Sequence, residues 1–136
     1  HVSVNLKHSV MKHLSDQGYE LINYGTDSTD PYDTPLAAAK LSKALQNQEI
    51  DYGTGFGISI ACNKFKGIRA CCCFEATSAH LMRMHNDANI VCFNAGIIFE
   101  ETAYDIVDVF LKTPFAGKKR YKRRIEQIQA IEEGEL

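Results

Sequence analysis

The chain has 136 residues, enough for one domain with a buried core, and its 45% apolar and 24% charged residues are ordinary for a globular protein. A formal charge of −2 gives no general reason to expect a nucleic-acid partner, and no apolar run approaches the roughly 20 residues of a membrane span. The five cysteines form no CxxC pair, which indicates free thiols in a cytoplasmic protein rather than disulfides or a zinc site.

The first third of the chain predicts two helices with a strand between them. Apolar residues at helical spacing predict a helix over about 4–14, which Gly18 ends. The alternating stretch 19–25 predicts a strand, and the turn-forming residues of 26–35 predict a loop. The stretch 36–47 favours a second helix because alanine, leucine and lysine dominate it.

A glycine-rich segment follows, with Gly53, Gly55 and Gly57 in front of a helix-like run. Glycine lets the backbone approach a ligand closely, and N–H groups at a helix start bind anions. The segment has neither the Gly-Lys-Ser/Thr ending of a nucleotide P-loop nor the GxGxxG spacing. A tight turn without a ligand therefore explains the glycines about equally well.

The segment lacks the hydrophobic strand that should precede it. Only NQEIDY, residues 47–52, separates the second helix from Gly53, whereas a strand buried on both faces needs a run of valine, isoleucine or leucine. We expect that a strand of about five residues is absent between Tyr52 and Gly53. We also expect a first strand before His1.

The rest of the chain alternates strands and helices. Strands are predicted at 67–74 and 89–98, and helices from 76 to about His85, at 101–113 and at about 118–133. This alternation predicts an α/β fold, a three-layer α/β/α sandwich with a Rossmann-like, mostly parallel sheet. Ligands bind in such folds beyond the carboxyl ends of the strands.

Three cysteines, Cys71 to Cys73, lie in the strand predicted at 67–74. Free cysteine in a buried strand behaves as a small apolar residue, and burial in apolar surroundings makes a thiol inert. We therefore expect these thiols to be structural.

Two other features, His85 and the pair Arg120 and Arg124, indicate a binding site more strongly together than alone. His85 closes a predicted helix, where a cation is favoured, although a lone capping histidine is the commoner arrangement. Arg120 and Arg124 share one helix face and suit a phosphate, although a solvated basic face is equally consistent. Nucleic-acid binding by this basic face is disfavoured by the acidic residues that follow, among them Glu126 and Glu132.

The segments GTGFGISIACNKFKGIRACCC, SAHLMRMHNDANIVCFNAGII and RYKRRIEQI resemble ribose-5-phosphate isomerase type B, within the family that includes galactose-6-phosphate isomerase subunits. The resemblance covers nearly the whole chain and implies one sugar-phosphate isomerase domain over 1–136, whose helix of about 118–133 packs on a neighbouring subunit. It implies interconversion of ribose 5-phosphate and ribulose 5-phosphate through an enediolate, without metal or organic cofactor.

The resemblance also implies a role for each site residue. Thr54 would help to form the anion hole for the enediolate, and His85 would assist ring opening. Substrate binding is expected from His1, Gly53, Gly55, Phe56, Gly57, Asn86, Arg120 and Arg124, of which His1 and the two arginines bind phosphate. The family forms dimers at least, so His85 and Asn86 would enter the site from the neighbouring subunit of a homodimer or tetramer; neither nucleic acid nor a membrane is implied.

Three positions depart from the family pattern. The base is typically a cysteine directly before Gly-Thr-Gly, but Tyr52 stands there, and a tyrosine with a pKa of about 10 is a poor base at neutral pH. Gly96 stands where an arginine is usual, and Tyr121 where a histidine is common. These departures leave two alternatives: a six-carbon substrate such as galactose 6-phosphate or allose 6-phosphate, and a non-catalytic subunit.

Overall fold

The computed structural model describes residues 2–136, with side chains from Ser3 onward, so that the predicted phosphate contact His1 lies outside the described residues. The helices of this part are α1 Val2–Asp16, α2 Thr34–Gln46, α3 Ser59–Cys62, α4 Ala76–Asn86, α5 Glu100–Lys112 and α6 Lys119–Glu132. The strands are β1 Gly53–Phe56, β2 Ala70–Cys72 and β3 Ile90–Phe93. None of these helices is both long and apolar enough to span a bilayer.

The three strands form a parallel sheet in the order β1-β3-β2. β3 is the central strand, and all four of its residues, Ile90 to Phe93, are buried. Such a continuous apolar run is what a parallel strand covered on both faces requires. The predicted strand at 89–98 is therefore confirmed in a shorter form.

Helices cover both faces of the sheet, which confirms the three-layer α/β/α sandwich. On one face, Val91 and Phe93 belong to a core that α1, α4 and α5 complete. On the other face, Ile90 and Cys92 pack with α2 and α3. The alternation of side chains along β3 thus divides the core into two layers.

The stretch 19–25 was predicted as a strand, and that prediction is wrong: it forms no strand in the structure. A strand is stable only when its backbone groups pair, and the described residues offer 19–25 no neighbouring strand. The stretch is instead held beside α1, where Lys7 donates hydrogen bonds to Asn23 and to the Thr26 carbonyl.

The glycine-rich segment was predicted as a loop, but Gly53–Phe56 is itself strand β1. Its first amide, at Gly53, donates to the carbonyl of Asn89 at 2.9 Å. A Cβ at Gly53 would lie 2.8 Å from Leu41 Cδ1 of α2, so a larger residue here would displace the Leu41 side chain. The segment thus occupies the sheet position for which the residues before Gly53 provide no strand.

Candidate active site

The chain turn after α4 carries two of the predicted site residues, His85 and Asn86. Helix α4 ends here because Asp87 adopts a left-handed conformation with φ of 48°, which aspartate tolerates better than most residues. The turn then leads directly into β3. His85 and Asn86 therefore stand at the amino edge of the parallel sheet.

Two arginines hold this turn in place, and sequence reasoning assigned a role to neither. Arg69 donates to the carbonyls of Asn86 (2.9 Å) and Asp87 (3.0 Å). Arg83 is only 4% exposed and donates to the Asp87 carboxylate at 2.8 Å and to the Ala88 carbonyl at 2.6 Å. The (i, i+4) spacing of Arg83 and Asp87 was the available signal for this pair.

Tyr52 occupies the position where the family base is expected, and its contacts are structural. The Tyr52 hydroxyl accepts a hydrogen bond from Arg83 Nη2 at 3.2 Å, and the Arg83 guanidinium lies 4.9 Å from the centre of its ring. A cation over an aromatic face is a stabilising contact. Tyr52, the residue directly before the glycine segment, is therefore bonded to the turn that bears His85.

The start of α6 packs on the end of α4 and places two predicted phosphate-binding residues near His85. The rings of His85 and Tyr121 are 4.6 Å apart, and Arg120 Nη2 donates to the Tyr121 hydroxyl at 3.0 Å. This hydrogen bond, with the charges of Arg120, Lys118 and Arg124, lowers the pKa of Tyr121. His85, Tyr121 and Arg120 thus form one basic cluster, and Arg124 lies one helical turn further along.

The glycine segment has hydrogen-bond donors that the sheet leaves free. In a parallel strand, alternate residues direct their N–H groups to opposite sides, so Gly53 and Gly55 bond to β3 while Thr54 and Phe56 point to the open edge of β1. Thr54 is exposed and Gly57 has a positive φ of 69°. The free donors of the segment are therefore the Thr54 hydroxyl and the amides of Thr54, Phe56 and Gly57.

The two groups of residues do not form a single cluster within one chain. β1 runs towards Gly57 at the carboxyl edge of the sheet, whereas α4 returns the chain to His85 at the amino edge. Among the described residues, the two groups are connected by the hydrogen bond between Tyr52 and Arg83 and by the bond from the Gly53 amide to the Asn89 carbonyl. A site that uses both His85 and Gly57 would have to combine two chains.

Three of the five thiols have a raised pKa, whereas the contact with Cys71 lowers the pKa of Cys73. Burial raises the pKa of Cys62 and of Cys92. The contact with Cys73 at 3.7 Å, followed by burial, raises the pKa of Cys71. Cys72 is exposed and its sulfur lies 3.0 Å from the Ser59 hydroxyl. None of the five is placed directly before Gly53, so none fills the position of the family base.

A cavity of about 560 Å³ lies on the open side of β1. Its lining is mainly apolar and includes Thr54 and Phe56. Lys7 is the one cation among the described lining residues, and it is paired with Asp27 at 2.6 Å. Glu49 and Asp51 add negative charge, so this cavity is poorly suited to a phosphate.

Comparison with known proteins extends the resemblance to whole chains. A family model described as Ribose/Galactose Isomerase matches residues 1–128. The chain is 43% identical to ribose-5-phosphate isomerase B of Escherichia coli strain K12, over 98% of this chain and 92% of that protein. Among solved structures, ribose-5-phosphate isomerase B of Clostridium thermocellum superposes with a TM-score of 0.93 at 37% identity, covering 97% of this chain and 92% of that one. The enzyme of Mycoplasma genitalium with bound ribulose-5-phosphate gives 0.88 at 30% identity, covering 95% and 89%.

The alignment with the E. coli protein also bears on the absent strand. It runs over 138 positions, whereas 98% of this chain is about 133 residues. That relative therefore has about five residues for which this chain has no counterpart. This number is close to the length of a typical strand.

Proposed function

The chain belongs to the ribose/galactose isomerase family, and we propose on that basis that it interconverts ribose 5-phosphate and ribulose 5-phosphate through an enediolate. The observation that carries this proposal is the 43% identity to a ribose-5-phosphate isomerase B over 98% of the chain. The related structure with bound ribulose-5-phosphate supports the choice of a five-carbon sugar phosphate. The chain is an aldose–ketose isomerase by this assignment.

The reaction needs ring opening, proton transfer between C1 and C2, and stabilisation of the enediolate. His85, half-buried at the helix end, is proposed to move a proton at the ring oxygen. The hydroxyl of Thr54 and the free amides of Thr54, Phe56 and Gly57 are proposed to donate to the enediolate oxygen. The remaining glycine amides, at Gly53 and Gly55, can join them only if β1 leaves β3, because both now bond to that strand.

The phosphate is proposed to bind at the start of α6. Arg120 and Arg124 are four residues apart and exposed, and two guanidinium groups on one face match the oxygens of a phosphate. Arg120 bonds to the Tyr121 hydroxyl, and the Tyr121 ring lies 4.6 Å from the ring of His85, which supports a phosphate site next to the residue proposed for ring opening. Asn86 is proposed to hold a sugar hydroxyl next to His85, and His1 to contribute to phosphate binding.

We also propose a homodimer in which each site takes residues from both chains. The opposite sheet edges occupied by His85 and Gly57 support this arrangement. Helix α6 supports it too: Ile131 is 61% exposed and Ile128 is only partly buried, which suits a helix that packs on a neighbouring subunit. Light scattering of the eluted protein would give the mass of a dimer if the proposal holds, and that of the 15.2 kDa chain if it fails.

A cytoplasmic location is proposed from the cysteines. All five are free thiols in the structure, three of them buried, and reduced thiols persist in the cytoplasm. Cell fractionation with antibody detection tests this location directly.

A second candidate is a non-catalytic subunit, favoured by Tyr52. Its hydroxyl is bound to Arg83, and no cysteine stands before Gly53. A subunit of this kind would fold and assemble but lack the base that moves the proton. The Gly96 position keeps six-carbon substrates as a variant of the leading proposal.

One assay separates these functions. Purified protein is incubated with ribose 5-phosphate, allose 6-phosphate and galactose 6-phosphate, and ketose formation is followed. Turnover of ribose 5-phosphate above the hexose phosphates supports the leading proposal, and the reverse order supports the six-carbon variant. Inactivity with all three, together with activity after mixing with a second family subunit, supports the non-catalytic role.

A further inference from the structure

Arg69 stands directly before β2, and Asn89, directly before β3, fixes its backbone. The Arg69 amide donates to Asn89 Oδ1 at 2.8 Å, and the Arg69 carbonyl accepts from the Asn89 amide at 3.0 Å. Asn89 Nδ2 in turn donates to the Gly67 carbonyl at 2.9 Å. The Asn89 side chain thus continues the pairing of β2 with β3 beyond the regular ladder. The side chain of Arg69 therefore extends from a fixed backbone position.

The guanidinium of Arg69 reaches the turn that ends α4. Its Nε atom donates to the Asn86 carbonyl at 2.9 Å, and its Nη2 atom donates to the Asp87 carbonyl at 3.0 Å. The last carbonyls of a helix have no partner within the helix, and a cation is favoured beside them. Because a guanidinium is planar and its donors form a rigid fork, it fixes the orientation of both peptide groups.

Arg83, the other arginine at this turn, has different partners. Its donors go to the Asp87 carboxylate at 2.8 Å and to the Ala88 carbonyl at 2.6 Å. Among the described residues, Arg69 is the side chain that bonds to the Asn86 carbonyl. Arg83 therefore anchors the chain after the turn, whereas Arg69 holds the peptide group that directly follows Asn86.

The side chains of His85 and Asn86 are the last two of α4, so their directions depend on the backbone at the end of the helix. Asp87 leaves the helix with φ of 48°, a left-handed conformation that persists in a residue other than glycine when its surroundings hold it. A change in this backbone would turn Asn86 and His85 away from their present directions. A displacement of a reacting group by about 1 Å lowers a rate by roughly 100-fold.

We propose that Arg69 is a positioning residue for the reaction: by holding the carbonyls of Asn86 and Asp87, it fixes the directions in which the His85 and Asn86 side chains leave α4. This role rests on the proposed function, in which His85 moves a proton at the ring oxygen and Asn86 holds a sugar hydroxyl. The phosphate is proposed to bind at the start of α6, where Arg69 makes no hydrogen bond in the described part of the chain. Loss of Arg69 is therefore expected to lower kcat and to leave KM nearly unchanged.

Steady-state kinetics with ribose 5-phosphate measure this difference in Arg69→Ala. We expect kcat to fall by about tenfold or more and KM to change by less than about threefold. Arg123→Ala removes an exposed arginine of α6, and this matched control should keep both constants. Arg69→Lys is the milder variant, and its kcat should still fall by about threefold or more, because an ammonium lacks the fork that serves two carbonyls. Thermal unfolding checks that each variant is folded.

Added guanidinium gives a result that a general loss of stability would not produce. Arg69 and Asn86 line a cavity of about 350 Å³, so the ion can reach the space that Arg69→Ala leaves. Guanidinium at millimolar concentration is expected to restore part of the lost kcat, because its charged donors can bond to the same carbonyls. Urea has the same shape without the charge and is expected to restore none. Neither compound should alter Arg123→Ala.

Hydrogen exchange tests the same contact without turnover. The amides of Asp87 and Ala88 donate to carbonyls within α4 at 3.1 and 3.3 Å. We expect both amides to exchange faster in Arg69→Ala and to slow again when guanidinium is added. The Ala103 amide in α5, which donates to the Phe99 carbonyl, should exchange at the wild-type rate throughout.

Four results would overturn the proposal. They are a wild-type kcat in either Arg69 variant, a loss confined to KM, a rescue of Arg69→Ala by guanidinium no greater than that by urea, and unchanged exchange at Asp87 and Ala88. A wild-type chain without turnover would contradict the proposed isomerase function instead. The exchange measurements would then decide alone whether Arg69 holds the turn.

Discussion

Arg83 is a charged residue whose contacts reach several parts of the candidate site. It is 4% exposed, and it bonds to Asp87, to the carbonyls of Ala88 and Thr113, and to the hydroxyl of Tyr52. A buried guanidinium is stable only when its donors are satisfied. The position of the His85 turn therefore depends on this side chain together with Arg69.

Replacing Arg83 with leucine is expected to lower the free energy of unfolding by about 3–5 kcal/mol, since removal of one partner leaves buried acceptors unpaired. Urea unfolding measures the change. Arg123→Leu, on the exposed face of α6, is the matched control and should shift stability by no more than about 0.5 kcal/mol. Equal losses in the two variants would contradict the structural role of Arg83.

The titration of Tyr121 reports on the basic cluster. Arg120 lowers the pKa of Tyr121 by a hydrogen bond, so the phenolate forms more readily in the folded chain than in the unfolded one. Its contribution to stability therefore appears as pH rises through the lowered pKa and is absent below it. The difference in ultraviolet titration between wild type and Tyr121→Phe isolates the ionisation of Tyr121. Arg120→Gln is expected to move the midpoint of this ionisation to higher pH. An unmoved midpoint would rule out the Arg120 contact.

Arg124→Ala is expected to raise KM for ribose 5-phosphate by about tenfold or more, because a hydrogen bond to a charged group contributes about 1.5–3 kcal/mol. Steady-state kinetics give KM and kcat separately. Arg123→Ala is the control on the same helix. If both variants keep the wild-type KM, the basic face of α6 is only solvated.

At the scale of elements, helices were predicted more accurately than strands. The helix signals lie within each segment: α5 was predicted at 101–113 and is found at Glu100–Lys112. A strand also depends on a partner that local sequence does not show. The stretch 19–25 alternates correctly but has no neighbour to pair with, and the glycines at 53–56, poor strand formers, become β1 because β3 offers them a ladder.

In the candidate site, too, features within one segment were predicted and contacts between distant segments were not. His85 and Arg120 were predicted through motifs, and the structure brings both to the Tyr121 cluster. The contact between Tyr52 and Arg83 spans 31 residues and leaves no periodic signal in the sequence. Sequence patterns therefore located candidate chemistry but not the scaffold that holds it.

Lys7 and His8 of α1 bind the Asp27 carboxylate in the loop at 26–30, and the pKa of Asp27 tests this contact. Hydrogen bonds from Lys7 and then His8 lower the pKa of Asp27 to about 2 from its ordinary 3.8. Its stabilising effect is therefore present above the ordinary value and is lost as pH falls through about 2. Carbon NMR of the Asp27 carboxyl is expected to show this midpoint, and Lys7→Gln should raise it towards 3.8; a wild-type midpoint near 3.8 would contradict the contact.

At the scale of the whole molecule, the fold separates the parts that an isomerase needs. The basic cluster at His85 stands at the amino edge of the sheet, while the glycine segment runs to the carboxyl edge. The family assignment and this separation together favour a site built from two chains. Because Tyr52 stands where the family has its base, the decisive question is whether the chain turns over a sugar phosphate at all.

That property is tested most directly by steady-state conversion of ribose 5-phosphate to ribulose 5-phosphate by the purified, folded chain, with His85→Ala and Arg123→Ala measured in parallel. The account predicts turnover by wild type and by Arg123→Ala, and a loss of about 100-fold or more in His85→Ala, as expected for removal of a general acid or base. A folded chain without turnover above the buffer rate, or a His85→Ala variant as active as wild type, would contradict it.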